Sequence, residues 1–103
     1  MKSRESDMII GVGWYSEDQW TMLKLTADDP EALDATYDQW RIGAERTLQQ
    51  LKSQAGVRAV KVSIDVEMLR QWCRDQGNRL DGSARARFIA EQVKMERYDE
   101  DTA

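Results

Sequence analysis

The sequence of 103 residues contains no histidine and a single cysteine, Cys73. Histidine is the side chain most often used for proton transfer near neutral pH, and it commonly activates serine or cysteine nucleophiles. Zinc and redox metals favour cysteine and histidine ligands, and one cysteine cannot build a structural zinc site or an internal disulfide. The composition therefore argues against hydrolase triads and metal centres, and we predict a non-enzymatic protein with no cofactor and no metal.

The sequence also lacks a long apolar run and a strong charge of one sign. No segment is long and apolar enough to span a bilayer, and no charged-then-apolar leader precedes a cleavage site. The first 55 residues carry 6 basic and 10 acidic groups, whereas residues 56–97 carry 9 and 6. An acidic first half and a mildly basic second half can attract each other within the fold or across a dimer. Neither half has the strong charge pattern that is typical of proteins that bind nucleic acid or membranes. We predict a cytoplasmic protein without membrane contact.

Aliphatic side chains are few, since leucine, isoleucine, valine and phenylalanine together number only 19 of 103. Four tryptophans and three tyrosines compensate, because each large aromatic side chain buries roughly 150 to 250 Å². The length allows one hydrophobic core. We predict a disordered N-terminal extension over residues 1–7, a single globular domain over 8–96 and a frayed acidic tail over 97–103.

Two segments have the alternation of β-strands. Apolar side chains recur at every second position from Met8 to Trp14, where Gly11 and Gly13 either admit a close neighbour or weaken an edge. The second strand runs from Val60 to Ile64, with a buried face and a wetter face.

Four segments have the period and the end signals of helices. The first begins at Ser16 and stops at Asp28. The second is predicted from Asp29 to Gly56, with Pro30 in its first turn and an apolar stripe formed by Leu33, Tyr37, Trp40, Ala44, Leu48, Leu51 and Ala55. At about 26 residues and ~1.5 Å each this helix exceeds what the domain can cover, so we expect one end to overhang or to dimerise. Gly43 inside it either permits a close helix crossing or is simply tolerated.

The third helix is capped by Asp65 and ends at Gly77. The fourth begins at Asp81 or Ser83 and runs to about Glu96, and we expect Phe88 near the boundary of its apolar face. The inward residues predicted for it are Ala86, Ile89, Ala90 and Val93. The predicted fold is therefore α/β (α+β) and mostly helical, in the order β-α-α-β-α-α, with a small two-stranded sheet packed on about four helices.

A few side chains form the predicted contact surface: Trp14, Tyr15, Ile42, Arg74, Arg79, Arg85 and Arg87. The stretch from Gly11 to Ser16 only partly matches a dinucleotide fingerprint, because its third glycine is replaced by serine and bulky residues crowd the turn. Cys73 lies on an apolar helix face and is predicted to be buried and inert. The acidic cluster from Asp28 to Asp38 is explained by helix starts, which favour acidic residues.

Three segments resemble short uncharacterised bacterial proteins of unknown function: Met8-Ile9-Ile10-Gly11-Val12-Gly13-Trp14-Tyr15, Trp72-Cys73-Arg74 and Leu80-Asp81-Gly82-Ser83-Ala84-Arg85-Ala86-Arg87. The resemblance covers most of the chain from Met8 to Val93. The resemblance implies a bacterial cytosolic origin and no particular activity.

The leading functional prediction is a small non-enzymatic domain that binds a protein partner or forms a homodimer. The first alternative is a nucleic-acid-binding module that uses the basic side of the last two helices, although the acidic balance makes nucleic acid an unlikely partner. The second alternative is an enzyme or small-ligand carrier with a pocket near Trp14.

Overall fold

The computed structural model describes residues 7–98. Its elements, in chain order, are β1 (Met8–Trp14), α1 (Glu17–Thr26), a short 3-10 turn (Pro30–Ala32), α2 (Tyr37–Lys52), β2 (Val57–Ser63), α3 (Val66–Gln76) and α4 (Gly82–Lys94). The predicted order β-α-α-β-α-α and the mostly helical content are confirmed. The predicted extension lies outside the described residues except for Asp7, and the predicted tail is described only at Arg97 and Tyr98, where Tyr98 packs against the core.

The two strands are parallel, in a register that pairs Met8 with Val57 and Trp14 with Ser63. Side chains along a strand alternate between its faces. Gly11 and Gly13 face α4, whereas the ring of Trp14 contacts Trp40 of α2, so the two helices cover opposite faces of the sheet. The domain is therefore three layers deep, with a two-stranded sheet in the middle.

The core lies where β2 meets α1, α3 and α4. Leu23, Val62, Val66 and Leu69 are almost completely buried there. The other buried members of this cluster are Tyr15, Trp20, Ala27, Ile64, Cys73, Leu80, Ala84 and Phe88. Within residues 7–98, no helix combines the length and the apolar character that crossing a membrane requires.

Glycine in β1 allows α4 to lie very close to the sheet. A Cβ atom at Gly11 would sit 2.6 Å from Val93 Cγ2 and 2.9 Å from Ile89 Cγ2, and one at Gly13 would sit 2.8 Å from Ile89 Cδ1. Of the two roles predicted for these glycines, admitting a close neighbour is the one observed. Gly43, by contrast, has no neighbouring atom within 4 Å of its Cβ position, so it is a tolerated glycine and supports no helix crossing.

The second helix is shorter than predicted, which corrects the sequence analysis. It begins at Tyr37 and has 16 residues, or about 24 Å. Its cap is Thr36, whose hydroxyl accepts the N–H of Gln39 at 3.1 Å while the Gln39 side chain accepts the N–H of Thr36 at 3.3 Å. The chain before it is extended at Leu33, where ψ is 150°. An overhanging helix end therefore no longer supports dimerisation.

Lys24 stabilises the non-helical segment that precedes α2. The Lys24 ammonium group donates to the carbonyl oxygens of Pro30, Leu33 and Asp34 at 3.3, 3.2 and 2.7 Å. These carbonyls are available to Lys24 because none of them accepts a hydrogen bond within an α-helix. The Pro30 oxygen also accepts the Leu33 N–H, which closes the 3-10 turn. The apolar period through Leu33 continues across the break, which is why it resembles one long helix in the sequence.

The fourth helix presents a different face to the core from the one predicted. Phe88 is buried and contacts Trp72 of α3 with ring centroids 5.5 Å apart, while Ala86 and Ala90 are exposed. Because the helix packs on both α3 and β1, its buried side is broader than a single apolar stripe, and it includes Phe88 but not the two alanines. The predicted caps Asp65 and Asp81 are confirmed, as is the terminator Gly77, which has φ 71°.

Replacing Gly11 by alanine should lower the free energy of unfolding by about 1 to 3 kcal/mol, because the added methyl group overpacks the contact with Val93 and Ile89. Gly43→Ala is the matched control and should raise it by roughly 0.5 to 1 kcal/mol, since the exposed helical site has room. Urea unfolding of both variants measures the difference. A Gly11→Ala protein as stable as the wild type would contradict the close approach of α4.

Replacing Thr36 by alanine should cost about 1 kcal/mol of stability through loss of the α2 cap. Thr47→Ala, in the exposed middle of the same helix, should instead be neutral or slightly stabilising because alanine has the higher helix propensity. Thermal unfolding compares the two. If Thr36→Ala and Thr47→Ala stabilised the protein equally, Thr36 would be inside the helix and the helix would start earlier, near Asp29.

Candidate protein-binding edge

The outer edge of β1 carries backbone groups that have no hydrogen-bond partner within residues 7–98. The Met8 N–H donates to the Gly56 carbonyl at 2.8 Å, and the Trp14 carbonyl accepts the Ile64 N–H at 3.0 Å. In a parallel pair, residues that bond the neighbouring strand alternate with residues whose N–H and C=O point away from it. The register therefore directs the N–H and C=O of Ile9, Gly11 and Gly13 away from β2.

No backbone group elsewhere in the described chain bonds these outward groups. Exposed strand edges are usually protected by charged side chains, proline or bulges, because unpaired edges attract other strands. β1 contains none of these residues, and the uncharged stretch continues from Met8 to Ser16. β2, by comparison, carries Arg58 and Lys61. The edge of β1 is therefore the less protected of the two.

An apolar groove of about 310 Å³ runs beside this edge, between β1 and α4. It has no charged residue in its lining, which consists of Ile9, Ile10, Gly11, Ala86, Ile89, Ala90 and Val93. The two alanines are exposed because α4 packs through Phe88 and Ile89 and leaves them facing outward. A strand added to β1 would place its α4-facing side chains in this groove. We call the unpaired groups and the groove together the β1 edge site.

Trp14 and Tyr15 belong to an aromatic cluster at the end of β1. The Trp14 ring centroid lies 5.6 Å from that of Trp40, and the Lys61 ammonium group lies 4.5 Å from the Trp14 centroid. Tyr15 is only 6% exposed, its carbonyl accepts the Tyr37 hydroxyl at 3.1 Å, and burial raises the pKa of its phenol to about 12. Tyr15 is thus a core residue, and Trp14 is half-buried.

The other residues of the predicted contact surface lie on separate elements. Ile42 is 55% exposed on α2, and Arg79 is exposed between α3 and α4. On α3, the Arg74 guanidinium donates to Gln71 at 2.7 Å, and on α4 the Arg87 guanidinium lies 5.8 Å from the Trp72 ring centroid. The predicted contact surface stays a prediction.

Arg85 is held by an ion pair that joins the start of α4 to the turn after α1. Its guanidinium donates to both carboxylate oxygens of Asp29, at 2.8 and 3.0 Å, and the Gly82 N–H donates to the same carboxylate at 3.0 Å. The side chains are only 13% and 20% exposed. The hydrogen bond from Arg85 is the main reason that the pKa of Asp29 lies below its ordinary value. Asp29 marks the predicted start of the second helix, so this partnership corrects the role that the sequence indicates for it.

A second contact reinforces the same junction. The Asp28 carboxylate accepts the Leu80 N–H at 2.7 Å, and the Asp28 N–H donates to the Leu80 carbonyl at 2.8 Å. Together the two aspartates anchor the turn before α4, and thereby set where α4 begins above β1.

Asp29→Asn should lower the free energy of unfolding by about 2 kcal/mol at pH 7, because it removes the charge from a mostly buried pair. Since the folded-state pKa of Asp29 is depressed, its contribution is present above the unfolded pKa of about 3.9 and is lost as the pH falls through the folded value. Urea unfolding should therefore show a gap between wild type and variant that closes at acidic pH. Asp34→Asn, exposed in the same turn, is the control and should leave no such pH-dependent gap.

Cys73 is 3% exposed, and burial raises the pKa of its thiol. The predicted burial of this residue is confirmed. Across residues 7–98, no three cysteine or carboxylate side chains come close enough to hold a metal ion.

The β1 edge site escaped the sequence analysis because Ala86 and Ala90 were assigned to the core. A usable signal was present in the long uncharged stretch that begins at Met8, which no charged or proline residue interrupts. Comparison with protein-family models, curated proteins and solved structures finds no match for this chain.

Proposed function

We propose that this chain is a small non-enzymatic interaction domain that binds an extended protein segment at the β1 edge site. The observation that carries the proposal is the row of N–H and C=O groups at Ile9, Gly11 and Gly13 that point away from β2 and have no partner among residues 7–98. Strand addition satisfies such groups through main-chain hydrogen bonds, while pockets for alternate side chains supply specificity. The resemblance to small bacterial proteins and the lack of a cysteine pair that could form an internal disulfide support a cytoplasmic location.

The groove supplies the second requirement of strand addition. Alternate side chains of a bound strand point toward α4, where they meet an apolar lining that is open at Ala86 and Ala90. Burying apolar side chains there contributes roughly 25 cal/mol for each Å² removed from water. A two-stranded sheet is itself marginal in water, so a third strand also benefits the sheet.

Nucleic-acid binding by the basic side of α3 and α4 has less support. Arg70 donates to Glu67 at 3.1 Å, and Arg85 is occupied by Asp29. Within the described residues, these pairs neutralise part of the positive surface that phosphate binding requires.

Ala90→Glu should weaken peptide binding strongly without unfolding the protein, because the glutamate is tolerated on an exposed helical position but places a charge in the apolar groove. The full chain is immobilised and presented with a phage-displayed library of random ten-residue peptides, and enriched peptides are synthesised and titrated by fluorescence anisotropy. Binding should weaken by more than tenfold in Ala90→Glu. Thr47→Glu adds the same charge on α2 and should bind as the wild type does.

Amide hydrogen exchange locates the bound peptide. Addition of an enriched peptide should slow exchange at Ile9, Gly11 and Gly13, whose N–H groups become hydrogen-bonded. Enriched peptides that protect other amides and bind Ala90→Glu normally would overturn the proposal. So would a library that yields no binder, if the protein also shows no association through β1.

A further inference from the structure

The helix that lies over β1 restricts what can bind at the strand edge. Building on the strand-addition function proposed above, we infer that the β1 edge site takes an extended segment of another protein with two properties. The segment has large, uncharged apolar side chains at two alternate positions, and no helix is packed on the face that carries them. A second copy of this chain lacks the second property, because its own α4 lies on that face.

The position of α4 sets the steric limit. This helix packs on β1 more extensively than on β2. A Cβ atom at Gly11 would sit 2.6 Å from Val93 Cγ2 and 2.9 Å from Ile89 Cγ2, so the helix lies over the backbone of β1 itself. An α-helix with its side chains is about 10 to 12 Å wide. Any segment that pairs with the edge of β1 must therefore fit beside and beneath α4.

A second copy would bring a second α4 onto the same face of the sheet. The two-fold pairing that matches Ile9, Gly11 and Gly13 with their counterparts is antiparallel and centred on Gly11. Directly opposite side chains in an antiparallel pair share one face, so both copies of α4 would lie on that face. Neighbouring strands are about 4.8 Å apart, whereas packed helices keep their axes about 8 to 10 Å apart. The two helices would overlap.

The lining of the groove selects uncharged side chains. Among the described residues, those that line it are all apolar or glycine. A carboxylate or ammonium group placed there would lose hydration without gaining a partner of opposite charge. The α4-facing side chains of the segment are therefore apolar.

Glycines in β1 and alanines in α4 leave room for large side chains. Directly opposite residues of neighbouring strands have Cβ atoms about 4.5 to 5.5 Å apart. Opposite Gly11 and Gly13 the segment meets no side chain from β1, and the exposed side of α4 presents the small side chains of Ala86 and Ala90. The two segment residues concerned are two positions apart, so they point to the same face. Large aliphatic or aromatic side chains there fill the groove, as aromatic residues do beside edge glycines in other sheets.

The first test narrows the groove without adding charge. Peptides enriched by the full chain should carry large apolar residues at positions i and i+2. Ala90→Leu should weaken binding of such a peptide about tenfold, because the leucine overpacks the groove. It should weaken binding of the same peptide with alanine at both positions roughly twofold or less, because that peptide leaves room for the leucine. Thr47→Leu places the same side chain on α2 and should bind both peptides as the wild type does. Circular dichroism checks that the variants fold.

Light scattering of the full chain is the second test. The overlap of two α4 helices predicts a monomer. A dimer that Ala90→Glu dissociates would assign the edge to a second copy and would overturn the inference.

The outcomes separate this inference from the proposed function. Enriched peptides that Ala90→Glu fails to bind, but whose consensus has no pair of large apolar residues at alternate positions, would overturn the inference and leave strand addition in place. Equal losses for the two peptides in Ala90→Leu would do the same. A monomeric protein that enriches no peptide would overturn the proposed function itself, and the inference with it.

Discussion

The close approach of α4 to β1 is the constraint on which the rest of the structure depends. With no Cβ atom at Gly11 or Gly13, Val93 and Ile89 of α4 reach the strand backbone. The Asp29–Arg85 pair and the two Asp28 hydrogen bonds hold the start of the same helix. Both ends of α4 are thereby placed, and this placement buries Phe88 while leaving the two alanines of the groove in solvent.

The sheet has only two strands within the described residues, so each strand has an outer edge that no further strand covers. Parallel strands require a crossover connection, here formed by α1 and α2, whereas antiparallel strands can be joined by a short hairpin. Two strands have two outer edges, and in this chain the helices cover the faces of the sheet. The groups that point outward from β1 are main-chain groups, and the chain has no histidine and a single cysteine, which is buried.

The predicted and observed helices differ for one physical reason. The Asp29-Pro30 pair has the local chemistry of a helix start, yet the carboxylate of Asp29 is used by a guanidinium 56 residues away. Lys24 then stabilises the non-helical carbonyls that follow. On α4, the apolar period indicates a single stripe of inward residues, but the helix contacts both α3 and β1. In both cases a tertiary contact outweighed a local preference of about 1 kcal/mol.

The features that the sequence determined by itself are those set within a few residues of chain. Capping at Ser16, Asp65 and Asp81, termination at Gly77, the alternation of both strands and the lack of charge in β1 are of this kind, because each depends on neighbouring residues alone. Strand direction, the partner of Asp29 and the exposure of Ala86 and Ala90 were decided only in the folded chain. They depend on contacts between distant segments, whose geometry no local pattern encodes.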